Sequence, residues 1–185
     1  VSDVILCQNG MLTPWLQEQN WDQVTRGVLY MAVPKRGAPV QLAEPSPFTG
    51  PKAKAVVDWF TALELPVQET TPEQFQQIEV EKLLWNCVFG LLCQVSQKSV
   101  GTLCATEAAA IASMTAELLH VAAMSRGVHL DAEDVLQGML DYSATIPEYV
   151  GRVSDWDFRN GWFVRAASTL GLSMPTHERW AAQLQ

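Results

Sequence analysis

Between Glu79 and Gly90 the sequence sets groups capable of chemistry inside a run that is otherwise apolar. From Leu83 to Cys93 the polar side chains reduce to Asn86 and the indole nitrogen of Trp85, and Lys82 stands at the mouth of the run. Lys82, Asn86 and Gly90 are spaced four apart, so on a helix they share one stripe, with Glu79 one turn earlier on the same side. A lysine and an asparagine facing packed protein cost several kcal/mol in order of magnitude unless each is paired. A desolvated lysine can act as a general acid or hold a developing oxyanion. The plainer alternative stays open at this point: Lys82 and Asn86 line a solvated edge, and Glu79 and Lys82 form a surface ion pair.

Two further clusters carry candidate groups. In GRVSDWDFRNGWFVRAA (151–167) Ser154 or Asp155 is placed to cap a helix, with Asp155 and Asp157 in its first turn, where acids complement the macrodipole. The QNG at 8–10 puts a side-chain amide, Asn9, at the carboxyl end of a strand, where ligands bind in open α/β sheets. The four cysteines (Cys7, Cys87, Cys93, Cys104) form no CxxC, and His120, His129 and His177 are not paired at metal-ligand spacing. Buried reduced thiols and no metal site follow.

The elements that must position these groups fall into two halves. In the first, VILC (4–7), GVLYMAV (27–33), APVQLAEP (38–45) and PVQET (66–70) read as strands, the middle two as a hairpin across the PKRG turn. Residues 13–23 read as a short helix with Thr13 as N-cap and Pro14 at the first helical position, and 52–63 as a helix with one apolar face. From Thr71 onward no strand pattern appears. Thr71, Pro72 and Gln74 open a helix running to about Gln97. Further helices are predicted over 105–126, 132–143, 155–170 and 176–184, with Asp131 as a cap and Gly127 and Gly171 as stops. The expected fold is therefore part of an α/β layer over residues 1–70 and an all-α domain over 71–185.

Composition narrows the function classes. The chain has 185 residues, 48% hydrophobic and 17% charged, with a net charge of −8, which excludes a disordered chain and argues against nucleic acid as a partner. No stretch is read as a bilayer span and no signal peptide is evident, so the expectation is a cytoplasmic protein without a membrane partner.

In order along the chain, the QNG after a strand, EKLLWNCV (81–88), GVHLDAEDVL (127–136) and GRVSDWDFRNGWFVRAASTLGLSMPTHERW (151–180) resemble the ketopantoate reductase (2-dehydropantoate 2-reductase) family. Gly151, Arg152, Asp157, Asn160, Gly161, Gly171 and Pro175 keep the frame of that family's closing G-R-x-T-E-I-D-x-x-N-G and G-x-x-x-P pattern. The resemblance implies the back half of a Rossmann-like NADP-binding domain at 1–70. It implies at 71–185 the multi-helix C-terminal domain of 6-phosphogluconate-dehydrogenase-like reductases. The implied activity is NADPH-dependent reduction of a small 2-keto acid, ketopantoate to pantoate or a relative, at a cleft between the two domains.

Carried over by position, Lys82 matches the catalytic lysine, Asn86 a substrate-orienting asparagine, and Asn9 the asparagine near the nicotinamide. Asp155 falls where the family pattern has its catalytic glutamate, one methylene shorter. Ser143 corresponds by offset to a substrate-binding serine, and Gly90 stands where a second asparagine would. The 11 glycines form no GxG, so the main dinucleotide-binding loop is absent and the chain reads as starting inside a Rossmann domain. Lys82, Asn86 and Asp155 are expected to converge on one cleft. The competing expectation is a catalytically inactive helical interaction or dimerisation module of the same fold, and a homodimer is compatible with either.

Overall fold

Thr71 and Gln74 start the longest helix as their types predict. The Thr71 hydroxyl accepts from the Gln74 amide at 3.2 Å, and the Gln74 side-chain oxygen accepts from the Thr71 amide at 3.2 Å. The computed structural model describes residues 3–32, 37, 40–42 and 44–184. The chain divides into two compact units, Val1–Glu79 and Val80–Gln185.

The first unit contains β1 (Ile5–Leu6), α1 (Thr13–Glu18), β2 (Thr25–Gly27), β3 (Met31–Ala32), β4 (Gln41–Leu42), β5 (Ser46–Thr49), α2 (Ala53–Ala62) and β6 (Val67–Glu69). A mixed four-stranded sheet runs in the order β1-β2-β5-β6, with β1 parallel to β2, β2 antiparallel to β5 and β5 parallel to β6. The expected 27–33 strand is instead two: β2 belongs to this sheet, and β3 pairs with β4 as a separate ribbon, Met31 opposite Leu42. Val33 to Arg36, Ala38, Pro39 and Ala43, which carry most of the expected hairpin turn, lie outside the described residues. β5 lies just beyond the strand expected over 38–45 and contains Pro47, a residue rarely found inside a sheet. It is nonetheless an inner strand. Pro47 lacks an N–H, but its carbonyl accepts from Val28 at 3.1 Å. Phe48, fully buried, packs with Ala53 and Val56 of α2 and meets Phe60 edge-on, ring centroids 5.6 Å apart.

Thr13 does not cap α1. Leu12 takes the cap position without a side-chain bond, and the helix stops at Glu18 ahead of Asn20 at φ 56°. The Thr13 hydroxyl is used elsewhere: it accepts from the Arg26 guanidinium at 2.8 Å. Arg26 also pairs with the carboxylate of Glu79, and its guanidinium lies 5.2 Å from the centroid of the Phe75 ring. Glu79 is buried and answers a half-buried arginine. It is therefore not half of a surface pair.

The second unit contains the rest of α3 (Pro72–Ser96), then α4 (Val100–Thr106), α5 (Ala108–Arg126), α6 (Ala132–Thr145), a 3-10 turn (Trp156–Phe158), α7 (Asn160–Leu170) and α8 (Pro175–Ala181). Asp131 caps α6, accepting from the amides of Glu133 at 2.9 Å and Asp134 at 3.1 Å, and Gly127 and Gly171 end α5 and α7 in the left-handed region. The expected 105–126 helix breaks at Glu107, whose carboxylate pairs with Lys98 at 3.0 Å, and a further helix starts at the Ser99 cap. α5 packs against α4, α6, α7 and α8. Against expectation it is long and apolar enough to cross a membrane by length and composition, with a mean hydropathy of 1.3. Its Ile111, Met114, Leu118, Val121 and Ala122 are fully buried against protein.

The segment before α7 also departs from the expected helix over 155–170. Asp155 sits at φ 47°, in the left-handed region that asparagine and aspartate tolerate better than other side chains, and forms no capping bond. The chain then makes one 3-10 turn before α7 begins at Asn160. Gly161 is what lets this turn close: a Cβ there would stand 2.5 Å from the Trp156 ring and 2.8 Å from its carbonyl oxygen. Gly161→Ala is expected to lower the unfolding free energy by about 1–3 kcal/mol, read as a shift of the denaturant midpoint with unchanged slope.

Candidate functional site

Lys82 and Asn86 stand on the stripe that their spacing predicts, and their environments differ. Lys82 is 7% exposed. Its ammonium donates to the Tyr142 hydroxyl at 3.2 Å and lies 4.3 Å from the Tyr142 ring centroid and 5.0 Å from that of Trp85. Two aromatic faces thus take up part of the charge, an arrangement worth about 1–2 kcal/mol when desolvated. This is not a solvated edge. Asn86 is half-buried, and its amide nitrogen is buried without a hydrogen-bond partner among the described residues. Such a donor costs about 1–3 kcal/mol until something accepts from it.

Helix geometry shows what flanks this amide. At about 100° per residue, Trp85 lies about 60° to one side of Lys82, while Asn86, Gly90, Gln94 and Cys87 lie at about 40°, 80°, 120° and 140° to the other. The Trp85 side faces α6: its ring meets Tyr142 edge-on at 4.9 Å, and its indole nitrogen donates to Ser143 at 3.0 Å. The other side is covered by the segment ahead of α7 and by the first residue of α7. The Val153 amide donates to the Gln94 side chain at 2.9 Å, and the Asn160 side chain donates to the Cys87 carbonyl at 3.2 Å. Asn86 falls between these two lines of contact.

Gly90 is where backbone meets backbone. A Cβ at Gly90 would stand 2.9 Å from the Arg152 carbonyl oxygen, and one at Gly151 would stand 3.2 Å from the Gly90 Cα. The main chain of 151–153 therefore occupies the room that a longer side chain at 90 would need. Asp155, two residues beyond, holds Arg159 at 3.1 Å. The same stretch of chain that covers Gly90 and Gln94 thus carries Asp155.

Ser143 is placed differently from a ligand-facing serine. It is 1% exposed, accepts from Trp85, and donates to the Met139 carbonyl at 2.7 Å. Its hydroxyl fixes the indole on which Lys82 rests. Asn9, in the first unit, follows β1, and its side-chain oxygen is buried without a hydrogen-bond partner among the described residues. Cys87 and Cys93 are buried, and burial pushes the Cys87 thiol far up. Cys7 is exposed, contrary to the expectation that all four thiols are buried.

Two residues gained importance only in three dimensions. Nothing in the spacing of Tyr142 ties it to Lys82 across 60 residues, yet it receives the lysine's hydrogen bond. His177, unpaired at metal-ligand spacing in the sequence, is fully buried, with its Nε2 3.1 Å from the Asn160 amide that holds Cys87. Its backbone amide and that of Thr176 donate to the Glu117 carboxylate at 2.9 Å and 2.8 Å.

Residues 74–185 match the family model described as ketopantoate reductase PanE/ApbA C terminal. The chain belongs to this family. No curated protein matches the chain. Among solved structures, the PanE/ApbA family ketopantoate reductase from Ralstonia eutropha JMP134 is 23% identical, with a TM-score of 0.78 over 97% of this chain and 64% of that one. The 2-dehydropantoate 2-reductase from Geobacter metallireducens GS-15 gives 17% identity and a TM-score of 0.79 over 97% and 66%. A D-mandelate dehydrogenase in complex with NADH gives 17% and 0.75 over 97% and 68%. At these identities the likeness establishes the fold, and the chain spans about two thirds of the length of these ketopantoate reductases.

Two outcomes follow from the packing in this family member. Gly90→Asn, which would install an amide on the stripe, is expected to destabilise the chain by about 1–3 kcal/mol in chemical denaturation, because the Arg152 backbone fills that space. Burial lowers the His177 pKa below its usual value, with Glu117 and Glu178 opposing. As pH falls through about 6.5 the unfolded chain therefore takes up a proton that the folded chain refuses, and stability drops by up to about 1.4 kcal/mol per pH unit until the folded pKa is reached. His177→Gln removes this term, so its stability measured at several pH values is expected to fall less on acidification than that of the parent.

Proposed function

We propose that this chain supplies the substrate-handling part of an NADPH-dependent reductase of small 2-keto acids. The observation that carries the reading is the pairing on one stripe of α3 of a buried ammonium, Lys82, with a buried amide donor that has no partner among the described residues, Asn86. A 2-keto acid presents a carbonyl oxygen and an adjacent carboxylate, and both need donors. Lys82 gives its hydrogen bond, and then its proton, to the carbonyl oxygen as negative charge develops there. Asn86 donates to the carboxylate and fixes which face of the carbonyl is presented. Asp155 contributes the carboxylate of the flanking segment, held by Arg159. Ser143 acts behind the site, by holding Trp85 under the ammonium.

The residues present fit a nicotinamide in one respect. The Asn9 side-chain oxygen is a buried acceptor without a partner among the described residues, and a carboxamide N–H would satisfy it. When bound, a reduced nicotinamide supplies hydride to the carbonyl carbon. Because the glycines of this chain form no GxG, Asn9 is its one assigned cofactor contact.

The test uses the full-length protein that carries this chain, assayed for oxidation of reduced nicotinamide with a panel of 2-keto acids. Lys82→Ala is expected to lower kcat by roughly 100-fold or more. Asn86→Ala is expected to act mainly on KM, by about 10-fold, the equivalent of one lost hydrogen bond of about 1.4 kcal/mol. A protein that binds no reduced nicotinamide and turns over none of the panel would instead be an interaction or dimerisation module, which sedimentation at several concentrations would then characterise.

A further inference from the structure

A lysine that gives up a proton in each turnover must regain one, and a buried lysine cannot take it freely from water. Lys82 is 7% exposed, so the question is which neighbour connects it to solvent. Trp85, on one side of the ammonium, cannot: an indole N–H is a donor only, and this one is committed to Ser143 at 3.0 Å. The Asn86 amide does not titrate. The Tyr142 hydroxyl differs on each count. It accepts from the ammonium at 3.2 Å, it keeps an O–H of its own, and its side chain is only half-buried on α6. The ammonium and the hydroxyl are already joined by a hydrogen bond, so a proton can pass along it without either side chain moving.

We infer that Tyr142 returns the proton to Lys82, forming the link between the buried ammonium and solvent. This rests on the reading of Lys82 as proton donor to the carbonyl oxygen. The carbonyl carbon receives hydride from the reduced nicotinamide, and the carbonyl π pair moves onto oxygen. That oxygen takes a proton from Lys82, leaving a neutral amine. The amine lone pair takes the Tyr142 hydroxyl proton, leaving a phenolate, and the phenolate is reprotonated by water. One solvent proton is consumed per 2-hydroxy acid formed. Tyr142 touches Lys82 rather than substrate, and its contribution is the proton route.

Tyr142→Phe keeps the ring that packs on Trp85 and under the ammonium and removes only the hydroxyl. In the full-length protein it is expected to lower kcat by roughly 10- to 100-fold with KM within about twofold, to raise the solvent isotope effect, and to recover rate when imidazole buffer is added as an external acid. A second readout does not depend on turnover: hydrogen exchange of the Lys82 ammonium, followed by NMR on protein labelled with 15N-lysine, is expected to slow by roughly 10-fold in the variant. Should Tyr142→Phe fold poorly, 3-fluorotyrosine at position 142 keeps the shape while making the phenol more acidic, and is expected to change the same exchange rate. Unaltered Lys82 exchange in these proteins overturns the inference. So does a fall in kcat that imidazole does not rescue, since that marks a packing role. If Lys82→Ala leaves turnover intact, the reductase reading of Lys82 fails, and the exchange measurement still decides the proton route.

Discussion

A helix buried around most of its circumference can carry a polar group only where a neighbouring element answers it. α3 is in that position: Leu83, Leu84, Val88, Phe89, Leu91 and Leu92 are all within 1% of full burial. Each of these side chains contributes about 1.5–3 kcal/mol by leaving water, so the helix has no freedom to rotate a charged face outward. The contacts around α3 in the second unit show how its remaining positions are met. Tyr142 and Trp85 meet Lys82, the 151–153 backbone meets Gly90 and Gln94, and Asn160 meets the Cys87 carbonyl. Asn86 alone on this stripe keeps a buried donor without a partner among the described residues. A group left so in an otherwise answered surface marks where a ligand is expected.

The long elements were legible because their signals are local. The Thr71/Gln74 box, the Asp131 cap and the Gly127 and Gly171 stops all act within one turn of the residues that announce them. The failures share the opposite property. Thr13 has the type of a cap, but its hydroxyl serves Arg26, 13 residues away. Pro47 breaks a strand when read locally, yet it sits in an inner strand, where its carbonyl still accepts from the Val28 amide. Asp155 looks like a first-turn acid and is instead a left-handed residue tied to Arg159. In each case a partner distant in sequence, or a backbone angle that composition does not encode, overrode the local preference.

The candidate site divides along the same line. The Lys82–Asn86 stripe is a matter of spacing within one helix and could be read directly. That Ser143 turns inward to hold an indole, or that a tyrosine 60 residues away receives the lysine's hydrogen bond, depends on how α6 lies against α3. The family resemblance gave Lys82, Asn86 and Asp155 their expected roles, but it is silent on Tyr142, whose contact with Lys82 comes from the packing of α6 on α3.

The contact between Gly90 and Gly151 also bears on how such a protein can change. Two glycines facing each other across main chain make a position where no single substitution adds function without first displacing a neighbour. An asparagine at 90 becomes tolerable only after 151–153 has shifted, and that segment is anchored at Gln94 and leads to Asp155. Change at this end of the stripe is thus locked by sterics, and its drift runs through the loop before it can run through the helix.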